Sequence, residues 1–131
     1  MGSEPQPPVL KLRKVWLLVG AGLIMLVVYL SLMHNPPKLS DFHMLDKLEH
    51  VSAYGLLMFW FGQIFWRFNQ RIMLAIGFVT MGIIIEIMQG VQGFRVFEYA
   101  DMLANTTGVV IGWGLAQTAL KKSLLFLEQL I

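Results

Sequence analysis

Eight polar residues with side chains suited to acid–base or binding chemistry occur at one end of three apolar segments. They are Asp46, Lys47, His50, Glu86, Gln89, Arg95, Asp101 and Asn105. Ionisable groups at helix ends beside a bilayer are energetically costly unless they are paired, so a polar cluster there is a candidate functional site. We therefore expect the three segments to bring these residues together into one site.

The first segment carries a carboxylate, an imidazole and a phenol at helical spacing. Asp46, His50 and Tyr54 follow one another at intervals of four, so on a helix they form one stripe, with Lys47 beside its start. A carboxylate next to a histidine fixes the imidazole tautomer, which suits a proton donor or acceptor. The alternative is a pair that solvates a helix start and anchors it at the level of the lipid headgroups.

The second segment places a carboxylate below the membrane surface. Glu86 and Gln89 are three residues apart and share a helix face. Counting about 1.5 Å per residue from Arg71 puts Glu86 about 22 Å into a hydrocarbon core of about 30 Å. A carboxylate at that depth requires a cation or takes up a proton. Glu86 is therefore predicted to be a site residue, with a structural salt bridge as the alternative.

The loop that follows contributes one arginine. Arg95 offers a planar fork that suits a carboxylate or a phosphate, including the phosphate of a lipid headgroup. It is also a candidate cation for Glu86, together with Lys47 and His50. We expect Arg95 to hold an anion, without a basis for choosing between those anions.

The third segment combines polar residues at its start with a stripe of small residues. Asp101 and Asn105 are one helical turn apart, and Asn105 lies below the interface. The stripe consists of Ala104, Gly108, Gly112 and Ala116. Small residues at this spacing let helix backbones touch. Gly108 and Gly112 are therefore predicted to pack helices within the chain, with a dimer contact as the alternative.

Several kinds of chemistry lack their motifs. The chain has no cysteine, no His-Glu-x-x-His, no glycine-rich phosphate loop and no Gly-x-Ser-x-Gly. A metal ion held by His50, Glu86 and Asp101 is geometrically conceivable, but no ligand spacing supports it. We predict neither a bound metal nor a cofactor.

The composition indicates a chain whose solvent is lipid. Hydrophobic residues make up 56% of it, and charged residues make up 14%, against about 25% in soluble proteins. The isoelectric point near 9.1 could suggest nucleic acid, but the basic residues flank apolar runs. Anchoring at a membrane surface explains that placement better. The expected partner is therefore the lipid bilayer, and not nucleic acid.

Four apolar runs predict an all-α membrane protein with four transmembrane helices. Residues 15–33 and 102–120 are runs of nineteen without a charge, close to the roughly 20 that span a bilayer. Residues 51–66 form a shorter run, with a short interfacial helical lead-in that starts near Ser40 or Asp41. Residues 72–85 form the remaining run. The first run is too long for a typical cleaved signal, so we expect an uncleaved anchor.

The basic residues predict the orientation. With both termini in the cytoplasm, the residues inside are Lys11, Arg13, Lys14, Arg67, Arg71, Lys121 and Lys122. Those outside are Lys38, Lys47 and Arg95. This distribution satisfies the positive-inside rule. It predicts a cytoplasmic tail over residues 1–14, a membrane domain over 15–120 and a cytoplasmic amphipathic tail over 121–131. The polar cluster then lies on the extracytoplasmic side.

Taken in chain order, the polar residues resemble the signature of the VanZ-like family. The matching elements are Asp46-Lys47-x-x-His50-x-x-x-Tyr54, Glu86-x-x-Gln89, Arg95 and Asp101-x-x-x-Asn105-x-x-Gly108. The resemblance covers about half the chain and implies a small integral protein of the bacterial plasma membrane. The family's founding member is linked to resistance to teicoplanin. The proline that often precedes the family's arginine is missing here, where the sequence is Gln92-Gly93-Phe94-Arg95.

Two functional hypotheses follow. In the first, the cluster binds or modifies an amphiphile at the outer leaflet, such as a lipid headgroup, a cell-wall precursor or a lipophilic glycopeptide. His50, Glu86 and Asp101 would then do acid–base or hydrogen-bonding work. The ligand-binding residues would be Asp46, Lys47, Tyr54, Gln89, Arg95 and Asn105.

In the second hypothesis the protein is structural or binds a partner protein, and the cluster only joins helix ends. A transporter ranks below both, because four short helices without a repeat make a small conduit. The sequence does not determine the ligand, the reaction or the oligomeric state.

Overall fold

The structure is a computed structural model that describes residues 6, 9–33, 43–93 and 98–131. Within those residues the secondary structure is entirely helical, as the apolar runs predict. The helices are α1 (Arg13–Leu32), α2 (His43–Ile64), α3 (Phe68–Gln92), α4 (Tyr99–Leu115) and α5 (Ser123–Leu130), and a 3₁₀ helix (Ala119–Lys122) joins the last two.

Two of the helices are long and apolar enough to cross a membrane. α1 has 20 residues with a mean hydropathy of 2.4, and α3 has 25 residues with a mean hydropathy of 2.0. No other helix in the described part of the chain meets the same criteria. α4 has 17 residues, and α2 begins with a charged turn. Of the four expected spans, α1 and α3 therefore satisfy the criteria of length and hydropathy. The other two spans stay a prediction.

α4 ends at Leu115, although its apolar run continues to residue 120. The backbone N–H groups of Gln117 and Thr118 each donate to the carbonyl three residues earlier, both at 3.1 Å, so the last turn tightens. The Thr118 hydroxyl then accepts a hydrogen bond from the N–H of Leu120 at 3.2 Å. A threonine side chain that bonds its own backbone in this way competes with continuation of the helix.

α2 and α4 pack more closely than any other pair of helices. A Cβ on Gly108 would lie 3.0 Å from the backbone nitrogen of Gly55 and closer still to the carbonyl oxygen of Val51. A Cβ on Gly112 would lie 3.0 Å from the backbone nitrogen of Phe59. The two glycines of α4 therefore allow contact with the backbone of α2, within one chain.

Large apolar side chains cover the outside of α1 and α3. Leu18 and Met25 are both 72% exposed, and Met73 is 73% exposed. The core lies between the helices and consists of Tyr54, Leu57, Met58, Phe61, Phe78 and Val109. Helices that are apolar on their outer faces as well as in the core are expected where the surroundings are lipid.

Arg71 joins the ends of α2 and α4. Its guanidinium donates to the carbonyl oxygens of Gly62 at 2.6 Å, Phe65 at 3.1 Å and Ala116 at 3.2 Å. Carbonyls at a helix end lack partners within the helix, so a buried arginine there satisfies acceptors of two helices at once. The sequence had indicated Arg71 only as one of several basic residues on the cytoplasmic side.

α5 folds back onto the start of α1. The Glu128 carboxylate accepts hydrogen bonds from the backbone N–H groups of Lys11 at 3.0 Å and Leu12 at 2.8 Å, and from the indole of Trp16 at 2.7 Å. Desolvation acts to raise the pKa of Glu128, but the hydrogen bonds from Leu12, Trp16 and Lys11 outweigh it and hold that pKa below its usual value. The carboxylate therefore ties α5 to the residues that precede α1 and to Trp16 in its first turns.

Candidate functional site

Lys47 lies at the centre of the polar residues. Its ammonium contacts Oδ1 of Asp101, Oε2 of Glu98 at 2.7 Å and Oδ2 of Asp46 at 3.5 Å. These carboxylates come from the first turns of α2 and α4 and from the residue that precedes α4. We refer to the group as the Lys47 cluster, which consists of Asp46, Lys47, His50, Glu98, Asp101 and Asn105.

His50 connects the cluster to the interior of α4. Its Nδ1 lies 2.9 Å from Oδ1 of Asn105, and because a carbonyl oxygen only accepts, Nδ1 carries the proton. The Nε2 atom then faces two carboxylates, at 3.7 Å from Asp101 and 4.0 Å from Asp46. The imidazole is thereby fixed in one tautomer, with Nε2 directed toward the charged part of the cluster.

Glu86 lies beneath the cluster and is 1% exposed. Its Oε1 accepts a hydrogen bond from the backbone N–H of Glu98 at 2.9 Å. The side chain of that same Glu98 contacts Lys47, so Glu98 links the buried carboxylate of α3 to the cluster. Glu98 was not predicted as a site residue. The available signal was a carboxylate at the start of α4, three residues before Asp101.

A glycine of α3 makes room for this arrangement. A Cβ on Gly82 would lie 2.9 Å from Nδ2 of Asn105 and 3.3 Å from Cε1 of Tyr54. Gly82 is one helical turn before Glu86. Because Gly82 has no side chain, Asn105 and Tyr54 can lie directly against α3, the helix that carries Glu86. Gly82 was not predicted to contribute to the site.

Tyr54 and Gln89 are buried beside the cluster without joining it directly. Both are 2% exposed, and Tyr54 belongs to the apolar core. The amide nitrogen of Gln89 donates to the carbonyl oxygen of Ser31 at 2.6 Å and so ties α3 to the end of α1. Within the described residues, the Tyr54 hydroxyl and the Gln89 side-chain oxygen have no hydrogen-bond partner.

Two of the remaining predicted residues belong to a helix contact, and one falls outside the described part of the chain. Gly108 and Gly112 take part in the backbone contact between α2 and α4, where Gly108 lies against Val51, the residue after His50. Arg95 lies outside the residues that the structure describes.

Three of the cluster's side chains have the spacing of metal ligands. One ligand atom from each of Asp46, His50 and Asp101 falls within 4.8 Å of the others. This set differs from the metal-ligand set that was conceivable from the sequence, which was His50, Glu86 and Asp101, because Asp46 takes the place of Glu86. The Lys47 ammonium contacts both carboxylates, so a metal ion there would compete with a cation of the protein itself.

The arrangement can bind polar groups and exchange protons. Asp101 is 2% exposed and is neutralised in part by Lys47, while Asp46 and Glu98 are half-buried and border the surface. Paired charges at helix starts can hold a polar headgroup, and His50 Nε2 can give or take a proton next to it.

A protein-family model described as VanZ/LLP1 matches residues 8–122 of the chain. No curated protein and no solved structure matches it.

Proposed function

The chain belongs to the VanZ/LLP1 family, and from this membership together with the geometry of the Lys47 cluster we propose that it binds or modifies an amphiphile at the outer leaflet of the bacterial plasma membrane. The ligand is a lipid headgroup, a cell-wall precursor or a lipophilic glycopeptide. Through that ligand the protein contributes to resistance to antibiotics or to envelope stress.

The proposed topology has four spans and two cytoplasmic termini. α1 to α4 cross the bilayer, with the Lys47 cluster at the extracytoplasmic ends of α2 and α4 and with Arg71 at their opposite ends. The support is the excess of arginine and lysine at the Arg71 end, which the positive-inside rule assigns to the cytoplasm. Residues 1–14 and 121–131 are then cytoplasmic.

The observation that carries the proposal is the burial of Asp101 against Lys47. Asp101 is 2% exposed and lies at the start of a helix with an apolar outer surface. Burying a carboxylate there costs free energy in a membrane protein, so such a residue is expected where it serves a function. The polar part of an amphiphile fits the cluster, while its apolar part lies against the lipid-facing sides of the helices.

In this proposal the residues fall into two roles. His50, Glu86 and Asp101 exchange protons or form hydrogen bonds with the ligand's polar group. The residues that bind and orient that group are Asp46, Lys47, Tyr54, Gln89, Arg95 and Asn105. Glu98 joins the first set to the second through Glu86 and Lys47.

The test is the teicoplanin susceptibility of a host that expresses Asp101→Asn or Glu86→Gln. We expect both variants to lose protection while their membrane level and melting temperature in detergent stay near those of the wild type. Thr107→Val is the matched control on α4, because the Thr107 side chain is exposed and its hydroxyl donates to the carbonyl oxygen of Leu103 in the same helix. Wild-type protection in both carboxylate variants would refute the proposal.

The alternative is that the cluster only joins helix ends, and the ion pair between Lys47 and Asp101 favours it as a second candidate. The exchange Lys47→Asp with Asp101→Lys separates the two functions. A structural pair keeps its attraction after the exchange, so part of the protection should return in the double variant although the new carboxylate at position 47 faces Asp46 and Glu98. A binding site does not regain protection, since the charges that face the ligand are reversed.

A further inference from the structure

A groove of about 470 Å³ lies between α1, α2 and α3 and extends from the end of the molecule opposite the Lys47 cluster to the middle of α3. Its walls are almost wholly apolar. They are formed by Ile24, Phe61, Phe65, Met73, Gly77 and Met81. None of these residues takes part in the cluster, so the groove is a separate feature of the fold.

The groove has the length of one leaflet. On α3 it extends from Gln70 to Met81, which corresponds to about 16 Å of helix. Half of a hydrocarbon core of about 30 Å is about 15 Å. One acyl chain that enters from the membrane surface and runs to the bilayer centre therefore matches the groove in extent and in polarity.

A positive charge lies at the surface end of the groove. The guanidinium carbon of Arg13 is 5.1 Å from the centre of the Phe65 ring, and Phe65 forms part of the groove wall. The amide of Gln70 lies at the same end. A guanidinium is suited to a phosphate, because its N–H donors match phosphate oxygens in charge and geometry.

We propose that this groove binds one acyl chain of an anionic phospholipid, whose phosphate lies at Arg13. The occupant is a lipid of the cytoplasmic leaflet. That choice of leaflet rests on the proposed orientation, whereas binding of the lipid does not.

The test uses the purified full-length protein, titrated in detergent with phosphatidylglycerol or phosphatidylcholine and followed by native mass spectrometry. Gly77→Phe places an aromatic ring in the groove, and the substitution starts without a backbone clash because no atom lies within 4 Å of a Cβ built there. Gly22→Phe is the matched control, since the position on α1 is equally open and does not line the groove.

We expect the wild type to retain phosphatidylglycerol in preference to phosphatidylcholine. Gly77→Phe should weaken that retention roughly tenfold, as the loss of about two methylene contacts would do, and Gly22→Phe should not. Arg13→Gln should keep an acyl chain in the groove and lower the preference for phosphatidylglycerol about fivefold.

Several outcomes would overturn the proposal. These are equal retention of the two lipids, equal loss in Gly77→Phe and Gly22→Phe, and a wild-type dimer that Gly77→Phe converts to a monomer. The last result would assign the groove to a second copy of the chain. Lipid retention is measured without reference to antibiotic protection, so its failure leaves the proposed function of the Lys47 cluster standing.

Discussion

His50 Nδ1 and Asn105 Oδ1 are 2.9 Å apart although 55 residues separate them in the chain. The contact joins α2 to α4 next to the place where their backbones touch, because Val51, which follows His50, lies against Gly108. The polar site and the glycine contact are thus parts of one interface. Whatever moves α4 away from α2 also separates the imidazole from its acceptor.

The first prediction concerns the glycines of that interface. Gly108→Ala and Gly112→Ala should each lower the free energy of unfolding by about 1–3 kcal/mol, because the new methyl group meets α2 backbone that cannot move aside alone. Gly114→Ala is the control, since a Cβ there meets nothing within 4 Å. Unfolding in a titration with sodium dodecyl sulfate measures the difference. Equal stability of Gly108→Ala and Gly114→Ala would contradict the close packing.

The second prediction concerns the tautomer of His50. Asn105→Leu removes the acceptor at nearly constant volume, so the imidazole should lose its preference for a proton on Nδ1. The ¹⁵N chemical shifts of the ring nitrogens, in histidine-labelled protein, report the tautomer directly. We expect a loss of stability of about 1 kcal/mol. Thr107→Val should leave the shifts of His50 unchanged, and unchanged shifts in Asn105→Leu as well would show that Asn105 does not set the tautomer.

Helical periodicity explains what could be predicted of the site. Asp101 and Asn105 lie one turn apart, as do Asp46 and His50, so each pair necessarily shares a helix face. The glycine stripe of α4 indicates which face approaches another helix. These two facts predict which helix faces carry the polar residues and which face of α4 approaches another helix, but they do not identify that helix as α2.

Contacts made by irregular or distant segments could not be predicted. Glu98 reaches Glu86 through its backbone N–H, which carries no residue-specific signal in the sequence. Arg71 finds carbonyls of two helices whose ends are set by tertiary packing. The same holds for Glu128, whose partners lie 112 to 117 residues earlier in the chain.

The third prediction concerns Arg71. Arg71→Met should lower the free energy of unfolding by at least about 1.5–3 kcal/mol, because the carbonyl oxygens of Gly62 and Ala116 lose a charged donor and become buried acceptors without a partner. Arg71→Lys should recover only part of the loss, since one ammonium lacks the fork that serves both helices. The exposed Arg67→Met is the control in the same thermal unfolding assay. A variant as stable as this control would mean that Arg71 does not hold the two helix ends together.

The fourth prediction is a pH dependence of the contact between α5 and α1. Desolvation acts to raise the pKa of Glu128, but the hydrogen bonds from Leu12, Trp16 and Lys11 together outweigh it, so the pKa in the folded protein lies below its usual value. A carboxyl group with a depressed pKa contributes stability above its unfolded pKa and loses it as the pH falls through the folded pKa. The contact should therefore be fully formed at neutral pH and should open under acidic conditions.

Hydrogen exchange of the Lys11 and Leu12 amides, compared at each pH with Glu128→Gln, measures this opening. Wild type and variant should differ at neutral pH and converge in acid, whereas an identical difference at every pH would show that ionisation of Glu128 does not hold α5 in place.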